Sequence, residues 1–146
     1  ATIVYDNIVK MRSRCWGYEN AIWLANHDTI PQLFNLNQGI ETAPMWIPSA
    51  AMDKPDLLLG RPIIFTEYCE TLGTLGDLVL ANWTQYLEGT LVPLQSEESI
   101  HVRFLENEST FKFWLMNAGS PWWSAALTPN QSASTLSPFV TLATRA

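Results

Sequence analysis

The stretch from Leu57 to Gly89, LLLGRPIIFTEYCETLGTLGDLVLANWTQYLEG, places the tightest limits on what this chain can become. Ile63-Ile64-Phe65 and Leu78 to Ala81 are short runs that are apolar at every position, and both are bounded by turn residues, as buried strands are. Gly60 stops the preceding segment, and Pro62 is tolerable at the start of a strand, where its missing N–H need not enter a ladder. Gly73 and Gly76 supply backbone freedom between the runs. The pattern predicts two short strands flanking a glycine-bearing connection.

Before this stretch, Val4, Ile8, Met11 and Cys15 recur at helical spacing, so a helix is expected over Thr2–Arg14, with Thr2 as N-cap and Gly17 as the stop. Ala21 to Ala25 reads as a buried strand. A helix follows, with capping oxygens at Asn26 to Thr29, Pro31 in its first turn, Leu33, Phe34 and Leu36 on its buried side, and Gly39 at its end. Residues 40–56 contain Pro44, Pro48 and Pro55, which exclude a continuous helix, so they form a long excursion carrying Met45, Trp46 and Ile47.

After it, Leu91 to Ser99 is polar and acidic around Pro93 and reads as a boundary. The period then changes to two. Ile100, Val102 and Phe104 alternate with polar residues, Glu106 to Ser109 makes a turn, and Phe111, Phe113 and Leu115 alternate again, which predicts an antiparallel hairpin. Trp114 and Met116 on its other face imply cover on both faces. Asn117 to Pro121 is expected to turn the chain, Trp122 to Ser134 to be a loop, and Pro138 to Thr144 to be a last strand.

Chemistry is sparse. No nucleophile elbow, phosphate loop or metalloprotease helix is present, and the two histidines and two cysteines have no partners at ligand spacing, so no catalytic residue, metal site or cofactor is expected. Glu67, Glu70 and Asp77 read as solvated turn residues. L-G-T-L-G-D is followed by a strand pattern rather than the helix that a phosphate cradle needs. Cys15 and Cys69 are expected reduced and buried. A net charge of −6 with eight scattered cations argues against a nucleic-acid reader, and no apolar run is long enough to cross a bilayer. Apolar residues make up 47% of the chain and charged residues 15%, a balance that leans toward buried interfaces, and seven tryptophans add to that. Composition and pattern alone support an α+β domain.

G-R-P-I-I-F-T-E followed by L-G-T-L-G-D-L-V-L-A-N-W-T-Q-Y, with S-P-F-V-T-L-A-T-R over 137–145 and the strand and turn of Phe111 to Pro121, resembles the major capsid proteins of tailed bacteriophages, which have the Hong Kong phage capsid fold. The resemblance implies a mixed sheet flanked by helices as an axial-like domain over residues 1–90, and antiparallel strands of a peripheral-like domain over 91–146. It also implies a fragment lacking the family's N-terminal arm, extended loop and long helix. Function would be self-assembly into pentamers and hexamers that enclose double-stranded DNA without sequence-specific binding. Such a subunit would be made in the bacterial host cytoplasm and end in the virion, with no membrane partner. Candidate subunit contacts are Met45, Trp46, Ile47, the segment Leu72, Gly73, Thr74, Leu75, Gly76 and Asp77, and the pair Trp122 and Trp123. Two rival readings are a small ligand-binding module using exposed tryptophans and a hydrolase built on Glu67 and Asp77. Without the long helix, the hairpin is expected to expose apolar surface and to self-associate through residues 99–144.

Overall fold

A computed structural model describes residues 3–36, 46–47, 55–131 and 134–145. The chain divides into two compact units, Ala1–Gln85 with Trp123–Ala146, and Tyr86–Trp122.

In the first unit, helix α1 (Tyr5–Arg14) turns Ile8 and Met11 inward, with Cys15 directly after it, as the spacing dictates. It begins later than expected: Val4 is extended and accepts from the Asn7 N–H at 3.1 Å, no side chain caps the helix, and Thr2 lies outside the described residues. Gly17 adopts the left-handed conformation (φ 69°) and hands the chain to a 3-10 turn, Tyr18–Asn20, and then to strand β1 (Ile22–Ala25). Side-chain bulk at Gly17 would strike Asn82, a buried amide whose Nδ2 donates to the Trp16 and Gly17 carbonyls (3.2 and 3.3 Å) and whose Oδ1 accepts from Thr84. Every polar atom of this inward amide is therefore used.

A 3-10 turn, His27–Thr29, opens with Asn26 Oδ1 accepting from the Asp28 N–H at 3.0 Å and runs into α2 (Ile30–Phe34), with Pro31 in its first turn. Leu33 and Leu36 are buried. Phe34, expected beside them, is 60% exposed, because one residue past Leu33 is about 100° around the helix. Gly39 lies outside the described residues.

The sheet contains β1, β2 (Trp46–Ile47), β3 (Leu57–Leu58), β4 (Arg61–Phe65), β5 (Leu78–Ala81) and β8 (Phe139–Thr141), in the order β2-β3-β4-β1-β5-β8. β1 and β4 are parallel and the other pairs antiparallel. Register sets Trp23 between Ile63 and Leu80, and Leu24 between Ile64 and Val79. Trp23, Ala25, Ile63, Leu78 and Leu80 point into one core with α1 and α2. The expected strand, connection and strand over 61–81 are all present.

β3 and β4 are joined by Leu59 and Gly60 alone, both at positive φ (48° and 77°). Two such residues make the hairpin turn whose twist suits paired strands. The Tyr18 hydroxyl donates to the Leu59 carbonyl at 3.0 Å and holds the less willing of the two.

One assignment changes. The last strand, expected in the peripheral-like sheet, lies against β5 in the first unit, with Leu80 opposite Val140. Val140 packs on the core and Leu142 belongs to it, so β8 follows the unit that can bury its side chains.

The second unit is a two-stranded hairpin, β6 (Tyr86–Arg103) and β7 (Glu108–Pro121). Its turn is a 3-10 segment, Phe104–Glu106, closed by Asn107 in the left-handed region, and Arg103 forms ion pairs with Glu106 (2.8 Å) and Glu108 (3.2 Å). The hairpin is longer than its period. Residues 91–99, expected as a boundary, lie inside β6, and 117–121, expected as a turn, end β7. Pro93 is accommodated because the register slips on either side of it, between Thr90 and Val92 and between Val92 and Gln95. Expected cover on both faces is not found among the described residues: Phe111, Phe113, Leu115 and Met116 are all at least half exposed. Trp114 alone of this group is half-buried, with the Lys112 ammonium over its ring.

Candidate assembly surface

The glycine-bearing connection between β4 and β5 is anchored from inside. Asp77 is fully buried; its Oδ2 accepts from the Gly73 N–H at 2.9 Å and is paired with the Arg145 guanidinium. The Arg145 N–H donates to the Gly73 carbonyl at 2.8 Å, and the Asn26 N–H to the Asp77 carbonyl at 3.1 Å. Gly73 and Gly76 sit at φ 95° and 98°, where a side chain would strain the backbone. Asp77, expected as a solvated turn residue, is instead the internal anchor of the loop, whereas Glu67 and Glu70 are exposed as expected.

This anchoring sorts the candidate contact residues. Leu72 packs against the core, and Gly73 and Asp77 are buried. Thr74 and Leu75 form the outward part, with Leu75 58% exposed, and Gly76 is intermediate. Met45 lies outside the described residues. Trp46 and Ile47 form the edge strand β2, paired with Leu58 and Leu57. The tryptophan pair divides: Trp122 is exposed at the end of the second unit, while Trp123 belongs to the first, where its Nε1 donates to Gln85 Oε1 at 3.1 Å and its ring lies 5.6 Å from that of Trp16.

A further surface escaped sequence reasoning. Opposite the helices, Leu24, Ile64 and Val79 line up across β4, β1 and β5 on a face that nothing in the described residues covers completely. With Thr66, Tyr68, Cys69, Glu70 and Gly76 they line a shallow, mainly apolar groove of about 520 Å³. Tyr68, on its rim, is wholly exposed. The signal was legible: strands apolar at consecutive positions present apolar residues on both faces, and only one face meets α1 and α2.

Both cysteines are free. Burial, with the Glu19 carboxylate nearby, pushes the Cys15 thiol up to about 11. Cys69, expected buried, is half-buried in the groove wall; partial burial and then the charge of Asp77 raise its thiol too. Among the described residues no group of His, Cys, Asp or Glu could hold a metal ion, and no helix is long and apolar enough to cross a membrane.

Residues 1–131 match the model of the phage capsid family. No curated protein sequence matches the chain. Among solved structures, its fold is similar to a chain of the capsid of an empty GTA particle computed with C5 symmetry, with TM-score 0.59 and 15% identity. The match covers 79% of this chain and 40% of that one, so this chain spans well under half the length of its structural relative. At that identity the likeness speaks for the fold, which is α+β and of the phage capsid type. With its family match extending over nine-tenths of its length, the chain belongs to the phage capsid family.

Proposed function

We propose that this chain is part of the major capsid subunit of a tailed phage or prophage, which joins copies of itself into pentamers and hexamers that enclose double-stranded DNA. The observation that carries the reading is the capsid fold of the family-matched chain, combined with an apolar sheet face that the described residues leave open. Closed rings need heterologous patches, and enclosing DNA needs no base-reading surface; a net charge of −6 fits enclosure without sequence-specific binding. The first unit corresponds to an axial-like domain, now including β8, and the hairpin to part of a peripheral-like one. Thr74 and Leu75, the edge strand at Trp46 and Ile47, and Trp122 are the contact segments. Trp123, engaged by Gln85 and Trp16, serves its own unit. The subunit is made in the host cytoplasm and resides in the virion, and no step of this role calls for catalysis.

Native mass spectrometry across a concentration series tests this. Rings of five or six copies are expected. A population confined to monomers and dimers at every concentration overturns the ring assignment.

A further inference from the structure

The first unit carries two unlike surfaces on opposite sides of its sheet. On the open side, the apolar groove over Leu24, Ile64 and Val79 is bordered by the connection that follows β4, which carries the exposed carboxylates Glu67 and Glu70. On the helix side, Lys10 and Arg14 stand four residues apart, hence on one flank of α1, and line a second groove of about 290 Å³ against Val140 and Leu142. Val9 adds exposed apolar area on α1. Among the described residues none of these four charged side chains is in an ion pair. Arg145, which also borders the second groove, is already committed to Asp77.

We propose that the occupant of the open sheet face is helix α1 of a second copy of this chain, seated on Leu24, Ile64 and Val79 with its Lys10 and Arg14 set against Glu67 and Glu70. This rests on the capsid reading and goes further by naming the two faces that meet. Three physical features support it. A sheet with apolar residues on both faces needs a layer on each, and a helix is a standard second layer. The charges that border the two grooves are opposite in sign, Lys10 and Arg14 against Glu67 and Glu70, with Asp6 one turn before Lys10 the exception on α1, so the contact is favourable head to tail. Because the faces are different and lie on opposite sides of one sheet, each copy uses one to receive and the other to dock, a head-to-tail contact that forms a ring where the rotation between copies closes.

Two variants reverse the charges separately: Glu67→Lys with Glu70→Lys, and Lys10→Glu with Arg14→Glu. All four positions are exposed, so both variants are expected to fold, which near-ultraviolet circular dichroism checks. Association is followed by sedimentation velocity and native mass spectrometry at low salt and at about 0.5 M salt, where surface charge pairs are largely screened. The wild-type chain is expected to associate, and each reversal to weaken association about a hundred-fold or more. An equimolar mixture of the two variants restores it, because each then offers the other opposite charges at both contacts, and only alternating, even-numbered assemblies form. The quadruple variant restores association with itself. Wild-type rings that both reversals leave untouched overturn the face assignment while the ring reading stands. Salt-sensitive association that follows the charge pattern without closing at five or six upholds the faces and overturns the ring reading. A wild-type chain that is monomeric throughout overturns the proposal.

Discussion

Arg145 reaches Asp77 across 68 positions of sequence and places its guanidinium on a carboxylate that has no exposure to solvent. The pair ties the segment after β8 to the loop before β5. Asp77 Oδ1 and Arg145 Nε have no hydrogen-bond partner among the described residues, so the carboxylate depends heavily on this one contact and on the Gly73 N–H. Removing one member of a buried pair leaves an uncompensated charge, which costs more than the pair itself contributes. Arg145→Ala is expected to lower stability by about 3 kcal/mol in urea unfolding. The double replacement Asp77→Leu with Arg145→Met is expected to lose less than the sum of its singles. A loss under about 0.5 kcal/mol for Arg145→Ala would put the anchor elsewhere.

Gly60 isolates the backbone contribution of a turn. A Cβ there meets nothing within 4 Å, yet φ is +77°. Gly60→Ala is therefore expected to destabilise by about 1–2 kcal/mol through conformation alone. Tyr18→Phe, which removes the hydroxyl from the Leu59 carbonyl, is expected to cost about 1 kcal/mol. Thermal unfolding of both variants checks this; an unchanged midpoint for Gly60→Ala would mean that the turn relaxes to another form.

The hairpin and the sheet should differ in local stability. A two-stranded ribbon exposed on both faces has little besides its ladder to hold it. In hydrogen exchange on the monomer, amides of β6 and β7 are expected to exchange at least about a hundred-fold faster than those of β1 and β5. Equal protection would show that the hairpin is covered in solution. Phe111→Lys with Phe113→Lys should then abolish any salt-insensitive association that runs through it.

Stability should also fall at alkaline pH. The Cys15 thiol is raised from 9.0 to about 11 in the folded chain, so the folded state disfavours the thiolate that the unfolded chain forms freely. This contribution is complete below pH 9 and is lost as pH rises through about 11. Burial raises Tyr18 as well, in the same direction. Cys15→Ser, lacking the titration, should flatten that part of the urea midpoint against pH. At pH 8, iodoacetamide is expected to modify Cys69, in the groove wall, well before Cys15; the reverse order would contradict their burial.

How much of this could be read from residues depended on burial. Ile63 to Phe65 and Leu78 to Ala81 lie in the middle of a sheet and carry the pattern of it, and Ile8 and Met11 mark the inner side of α1 as their spacing requires. Residues 91–99 fail for the opposite reason. A strand with both faces in water places no demand on its side chains, so a strand segment with Pro93 and two glutamates looks like a linker. The destination of β8 was hidden too, since Phe139 to Thr141 would suit any sheet edge and its choice of β5 depends on Val140 and Leu142 meeting a core assembled from distant residues. Asp77 gave no local sign of burial: its partner is near it only once the sheet exists. The capsid resemblance rested on blocks of sequence around turns and strands, in β4, β5 and β8 of the first unit and β7 of the second; contact residues had no comparable mark, and although the apolar runs signalled apolar residues on both faces, the grouping of Leu24, Ile64 and Val79 on the open face followed only from the register.

The placement of β8 bears on the order in which the molecule can be made. The second unit is an insertion, entered at Tyr86 and left at Trp122, and its strands pair with neighbours in sequence. On a ribosome that ribbon can close while later residues are still being added, whereas the first unit lacks both its edge strand and the cation for Asp77 until Arg145 has been synthesised. A nascent subunit thus holds an incomplete sheet for most of its synthesis, and the groove between α1 and β8 takes shape only when the last strand has been added.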